Sequence, residues 1–220
     1  MAALSPSDGL LEQVAAYSAE AVSAVTLEDL SAPTPCRQWN LLALMLHLNS
    51  SLGALIDTLQ DGRPDLLGAL RRVGGKRTGK RTGKGNGTDV PDPGRLGVED
   101  DIGILLAAAV QYRTEKLVRV NDALRERDGP DIVLVGGRPL PCDLVAGAGA
   151  VELAVHSWDI ARACGRILPI PDAPAAELLD LSTLIVDGAG RPGLFASAVA
   201  APPDAGPGDR LIALLGRTPV

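Results

Sequence analysis

Aromatic side chains are scarce in this chain, since Trp, Tyr and Phe together make up 2% of its 220 residues. Hydrophobic residues nevertheless amount to 46%, so the core has to be built from leucine, alanine, valine and isoleucine. Leucine and alanine favour helices, whereas a sandwich of strands draws on β-branched and aromatic residues. The composition therefore predicts an all-α fold, and the length suffices for one domain with a substantial core.

Cysteine is also rare, and the three residues, Cys36, Cys142 and Cys164, lie far apart without CxxC spacing. This pattern excludes a disulfide framework and a Cys-rich zinc site, and it fits a reducing cytosol. The N-terminal segment lacks a basic stretch followed by an apolar core, so we expect no signal peptide. No uninterrupted apolar run reaches the roughly 18–20 residues of a membrane span. We therefore expect a cytoplasmic protein that contacts no membrane.

Positive charge is concentrated in one short segment. Residues 71–87, RRVGGKRTGKRTGKGNG, carry 7 of the 21 Lys and Arg residues, although the whole chain has a net charge of −6. The rest of the chain then has 14 basic against 27 acidic residues, a net of −13, which argues against a nucleic-acid partner. The segment is Gly-rich and repetitive, so residues 62–96 are predicted to form a flexible, solvated loop, with weak binding of an anionic partner as the alternative. The expected partner is a small-molecule substrate, and the protein is expected to be a monomer or a homodimer.

Apolar residues at helical spacing predict four long helices, at about residues 5–25, 40–60, 98–127 and 142–164. Asn40 is a suitable N-cap for the second helix, and Gly165 is a suitable stop for the fourth. Residues 131–141 predict a short hairpin, and two further helices are expected in 173–189 and 208–217. The pattern predicts an antiparallel four-helix bundle over residues 1–165 and a C-terminal helical extension over 166–220.

The two histidines of the chain both lie on mainly apolar helix stripes. Glu152 and His156 are four residues apart and therefore share a face of the fourth helix, while His47 lies on the inward face of the second. Small residues on the stripe of the fourth helix predict space in front of the two polar groups. A buried carboxylate or imidazole needs a partner. Two interpretations remain open: a structural Glu–His hydrogen bond, or a metal held by two imidazoles and one carboxylate with a free position.

Two segments resemble one known family. TPCRQWNLLALMLHL and VELAVHSWDIARACG are similar to the TPC-x-x-W…HL and E-x-x-x-H-x-W-D-x-A-R-A-x-G segments of the mycothiol-dependent maleylpyruvate isomerase family. That family belongs to the DinB-like superfamily of metal-binding four-helix bundles. The tail LFASAVAAPPDAGPGDRLIALLGRTP resembles the end of a shorter, mostly uncharacterised branch, which lacks the isomerase's distinct C-terminal domain. The resemblance covers most of the chain outside the basic loop.

The resemblance implies a DinB-like bundle whose metal ligands are His47, Glu152 and His156. It also implies a divalent metal, zinc above all, with mycothiol as a cosubstrate whose sulfur attacks an electrophilic carbon. The expected function is therefore a metal- and thiol-dependent transferase or isomerase acting on a small electrophilic metabolite. Two alternatives remain: a metal-dependent small-molecule hydrolase, and a non-catalytic, metal-stabilised bundle that binds a ligand or partner.

Other residues near the two motifs have less specific expectations. Asp159 either orients a metal ligand or pairs with a surface arginine, Arg162 or Arg166. The tryptophans at positions 39 and 158 are expected to anchor packing rather than to contact substrate. Cys36, in a proline-containing loop, is expected to be structural. Cys164 lies two turns beyond His156, about 12 Å along the helix axis, too far to be a ligand.

Overall fold

The computed structural model describes residues 7, 9–36, 39–61, 102–126, 132–135, 137–186 and 196–219. Six α-helices and one antiparallel hairpin lie within these ranges. The helices are α1 (Leu10–Val22), α2 (Leu41–Asp61), α3 (Ile102–Arg125), α4 (Cys142–Ala163), α5 (Asp172–Ile185) and α6 (Pro207–Leu214), and the strands are β1 (Ile132–Val135) and β2 (Arg138–Pro141). The predicted all-α fold is confirmed, and the short hairpin is where the sequence predicted it.

Helices α1 to α4 form the bundle. Helix α1 packs on α3 and α4, and α2 packs on the same two helices. Their apolar stripes meet in a core that includes Leu44, Leu48 and Leu52 of α2, Leu117 of α3 and Leu153 of α4, all fully buried. Helices α5 and α6 pack on each other, and α5 also contacts α4. The division into 1–165 and 166–220 stays a prediction, and the loop expected at 62–96 lies outside the described residues.

The ends of α2 and α4 follow from local chemistry. The Asn40 side-chain oxygen accepts the N–H of Ala43 at 3.0 Å, which caps the first turn of α2 as predicted. At the end of α4, Gly165 has φ 70° and the N–H of Arg166 donates to the carbonyl of Ala161 at 2.9 Å. This is the Schellman arrangement, in which glycine supplies the left-handed residue after the helix.

Helix α2 bears on the expectation that no segment spans a membrane. Leu41–Gln60 is long and apolar enough to cross a membrane by length and composition, with a mean hydropathy of 1.3. However, 61% of this window is buried inside the bundle, as is typical of the core helix of a soluble protein. Its polar residues His47 and Ser51 are buried in the bundle, whereas Asp57 and Gln60 are exposed on its outer face. We therefore interpret α2 as a core helix of the bundle.

Candidate metal site

The loop before α2 folds back over the helix that follows it. The Thr34 hydroxyl donates to the carbonyls of Trp39 at 2.8 Å and Cys36 at 3.1 Å, and the Trp39 N–H donates to the Cys36 carbonyl at 2.9 Å. These bonds hold the Trp39 ring against the imidazole of His47, with ring centroids 4.3 Å apart. The same indole lies 6.1 Å from the ring of His156. Trp39 is thus a wall of the polar cluster, a role that goes beyond the packing anchor expected for it.

Helices α2 and α4 bring His47, Glu152 and His156 together. Nε2 of His47 lies 2.9 Å from Oε1 of Glu152, and Nε2 of His156 lies 3.6 Å from the same oxygen. One potential ligand atom from each residue lies within 4.8 Å of the other two. The two imidazole rings meet edge to face, with centroids 5.2 Å apart. The three candidate ligands therefore lie together in the fold.

The cluster is enclosed except on the side of the carboxylate. The side chains of His47 and His156 are 5% and 8% exposed, whereas that of Glu152 is 19% exposed. At Gly149, one of the small residues of α4, the open space that we expected is filled. A Cβ on Gly149 would lie 3.1 Å from Cδ1 of Leu55, so this glycine allows α4 to approach α2 closely. A cavity of about 200 Å³ between α1 and α3, lined in part by Thr114, is separate from the cluster.

Glu152 is ionised at neutral pH in this arrangement. Burial raises the pKa of its carboxyl group, but the charge of His156 and the hydrogen bond and charge of His47 lower it by more. The net effect is a fall from the ordinary 4.5 to about 2. An opposite charge or a donor within hydrogen-bond distance favours the carboxylate form. The site therefore holds one negative charge between two imidazoles.

Asp159 orients His156 and is not on the helix surface. Its side chain is completely buried, and Oδ2 lies 3.0 Å from Nδ1 of His156. The expected alternative, a surface pair with Arg162 or Arg166, is wrong. Asp159 pairs instead with Arg217 at 2.9 Å, while Arg166 pairs with Glu20 at the surface.

Arg217 is the residue of the site that the sequence reasoning missed. It lies two residues from the C-terminal end of the described chain and 58 positions from Asp159, so no helical periodicity connects the two. Its side chain is 9% exposed. A signal existed in the sequence, because an arginine directly follows the apolar stretch LIALLG, but nothing local identified its partner.

Cys36 also lies closer to the cluster than the sequence suggested. Burial raises the pKa of its thiol to about 11, and the charges of Asp159 and Glu152 add to this while that of Arg217 opposes it. The thiol is therefore within electrostatic range of the site but protonated at neutral pH. It is not among the three residues that converge.

The residues fit a divalent metal by chemistry and by spacing. Tetrahedral ligands about 2.1 Å from a zinc ion lie about 3.4 Å apart, and the observed 2.9 and 3.6 Å separations lie on either side of this value. Because Oδ2 of Asp159, which pairs with Arg217, lies 3.0 Å from Nδ1 of His156, Nε2 is the ring nitrogen that faces Glu152 and can bind a metal. The fit has one gap: Nδ1 of His47 is buried and has no hydrogen-bond partner among the described residues. The 2.9 Å contact between His47 and Glu152 also satisfies the structural-pair interpretation, so both remain open.

The fold and the cluster define a class: a helical bundle with two histidines and a glutamate that converge from facing helices, as in metal-binding bundles. Comparison with known proteins then identifies the family. Residues 11–161 match the mycothiol maleylpyruvate isomerase N-terminal domain, and the chain belongs to this family. The same comparisons found no match among curated proteins or solved structures. The family match confirms the resemblance inferred from the two motifs.

Proposed function

We propose that this protein holds a divalent ion, zinc, at His47, Glu152 and His156, and uses a mycothiol-like thiol to transform a small electrophilic metabolite. The reaction is a thiol transfer or a thiol-dependent isomerisation. The observation that carries the proposal is the convergence of these three donors within 4.8 Å, in a chain that belongs to a mycothiol-related family. Two imidazoles and one carboxylate leave at least one metal position for an exogenous ligand.

The chain's own residues prepare the site for such a ligand. Glu152 supplies a negative charge that is 19% exposed, so the cluster is reached from its side. Asp159 holds His156 with Nε2 toward the cluster. The Trp39 ring covers His47 and limits the access of water from the loop side. When bound, the metal would favour the thiolate form of a thiol, which is the nucleophilic form.

The chemistry of the substrate follows from the nucleophile. The thiol loses its proton, and its sulfur adds to one carbon of an electrophilic C=C bond, whose π bond breaks as the electron pair moves toward an electron-withdrawing group. In a transfer the neighbouring carbon then takes up a proton, and the S-conjugate is the product. In an isomerisation the adduct rotates about the former double bond, the electron pair returns to restore the π bond, and the C–S bond breaks to release the thiolate.

A reducing compartment supports the same proposal. No disulfide joins Cys36, Cys142 or Cys164 in the described part of the chain. A low-molecular-weight thiol is available as a cosubstrate only where thiols stay reduced, so we propose a cytoplasmic location. A small-molecule substrate and a monomeric or homodimeric state belong to this proposal.

The experiment begins with metal analysis of protein purified without a His-tag. Calorimetry then measures the binding of mycothiol, and of its S-methyl derivative, to zinc-loaded wild type and His156→Ala protein. We expect mycothiol to bind the wild type only and the S-methyl derivative to bind neither, because a thioether has no proton to lose. Cys36→Ala should bind like the wild type, since the reacting sulfur belongs to the cosubstrate.

Equal binding of mycothiol by wild type and His156→Ala would refute the thiol proposal. Metal without thiol binding would favour a metal-dependent hydrolase, and no metal would favour the structural Glu–His pair of a non-catalytic bundle.

A further inference from the structure

Arg217 makes a buried, two-nitrogen contact with Asp159. Its Nη2 donates to Oδ2 of Asp159 at 2.9 Å and its Nε donates to Oδ1 at 3.4 Å. The remaining nitrogen, Nη1, donates to the carbonyl of Leu215 at 2.8 Å. All three guanidinium nitrogens therefore have an acceptor, and the planar fork fixes the orientation of the carboxylate. The pair buries both of its charges, since Asp159 is 0% and Arg217 is 9% exposed.

The backbone at the end of α6 directs this arginine into the core. The N–H of Gly216 donates to the carbonyl of Ala213 at 3.1 Å, and the N–H of Arg217 donates to that of Ile212 at 3.0 Å. With φ 83° at Gly216, this is a Schellman cap with Arg217 as its second residue. Arg166 occupies the same position after α4, but its side chain is 39% exposed and pairs with Glu20. Two equivalent caps thus place one arginine at the surface and the other behind the site.

Oδ2 of Asp159 accepts hydrogen bonds from both sides of this arrangement. It receives Nη2 of Arg217 at 2.9 Å and Nδ1 of His156 at 3.0 Å. An ionised carboxylate can only accept, so the ring nitrogen that faces it must carry the proton. A buried carboxylate without a cation is costly, and Arg217 supplies the cation. The arginine thereby determines, through Asp159, which nitrogen of His156 is left with a lone pair toward Glu152.

We infer that Arg217 is a positioning residue that holds His156 in the Nδ1–H tautomer and so prepares it as a ligand. The role of His156 as a metal ligand rests on the proposed function, whereas the hydrogen bonds that orient it do not. It also gives the C-terminal extension a part in the site, because the extension supplies the third member of the chain Arg217–Asp159–His156. Hydrogen-bonded partners behind metal-binding histidines commonly change metal affinity by about 10–100-fold when they are removed.

The test compares ring ¹⁵N spectra of metal-free proteins at pH 8, where an unperturbed imidazole is neutral. The chain has two histidines, so a His47→Gln variant assigns both rings. In the wild type we expect a protonated Nδ1 and an unprotonated Nε2 for His156. Arg217→Met should give a mixture of tautomers and weaken zinc binding by about 10–100-fold. Arg166→Met is the matched control. In this variant neither the tautomer of His156 nor the affinity for zinc should change.

A folded Arg217→Met protein with the wild-type tautomer overturns the inference. If Arg217→Met does not fold, Arg217→Gln decides the question, because it removes the charge and the two-nitrogen contact with Asp159 but leaves a polar, hydrogen-bonding side chain. A wild-type tautomer in that variant would also overturn it. A wild type that binds no zinc but whose tautomer depends on Arg217 would refute the proposed metal site and keep the positioning role. A wild type that binds zinc but whose His156 tautomer does not depend on Arg217 would support the proposed metal site and refute the positioning role.

Discussion

The ionised state of Glu152 makes a specific prediction about stability. In metal-free protein, Glu152→Gln keeps an oxygen that can accept the His47 N–H but removes the negative charge between the two imidazoles. The substitution should lower the free energy of unfolding at pH 7, because the wild-type site favours the carboxylate over the neutral acid. The loss should disappear in acid, where the wild-type carboxylate is itself protonated.

The magnitude follows from the pKa of the carboxyl group. Its fall from 4.5 to about 2 is worth about 3 kcal/mol, since each pH unit corresponds to 1.36 kcal/mol. The folded-state pKa is lowered, so this contribution is fully present above about pH 4.5 and is lost as the pH falls toward 2. The difference in unfolding free energy between wild type and Glu152→Gln should therefore shrink over that window.

Urea denaturation in the presence of a chelator, from pH 7 down to pH 3, measures this difference. Glu115→Gln is the control, because Glu115 is 68% exposed and its ion pair with Arg119 is a surface pair. We expect Glu115→Gln to change stability by no more than about 0.5 kcal/mol. A Glu152→Gln effect below about 1 kcal/mol at pH 7, or one that stays constant in acid, would show that the imidazoles do not stabilise the carboxylate.

Three further predictions follow from other parts of the structure. Gly216→Ala should cost about 3 kcal/mol in urea denaturation, because φ is 83° and the added Cβ would lie 2.7 Å from that of Ala196. Gly137→Ala, with φ 78° in open space, should cost only about 1 kcal/mol, and equal losses would contradict the steric argument. Zinc at 100 times its dissociation constant should stabilise the wild type by about 3 kcal/mol but not His156→Ala, whereas equal stabilisation would place the ion elsewhere. Cys36, with its thiol pKa raised to about 11, should react with iodoacetamide at pH 7 more slowly than a free cysteine, and an equal rate would contradict its burial.

The helices and the three candidate ligands could be predicted from the sequence because they depend on local rules. Helical periodicity places Glu152 and His156 on one face whatever surrounds them. Asn40 and Gly165 mark helix ends through hydrogen bonds and a backbone conformation that involve only neighbouring residues. Glu152 and the two histidines drew attention because polar groups on apolar stripes need partners. The family motifs carry the same residues, so both lines of reasoning converged on the same site.

The remaining features depend on contacts between residues distant in sequence, and only the tertiary structure decided them. The sequence pattern allowed Asp159 to pair with an arginine at the surface. In the structure Asp159 is buried, and its charge is compensated by Arg217, 58 positions away. The sequence predicted open space beside Gly149, but the packing of α2 places the Leu55 side chain there. Periodicity determines which face of a helix is buried, whereas the identity of the partner depends on how the helices pack, because a buried charge is stabilised only by a group that the fold brings to it.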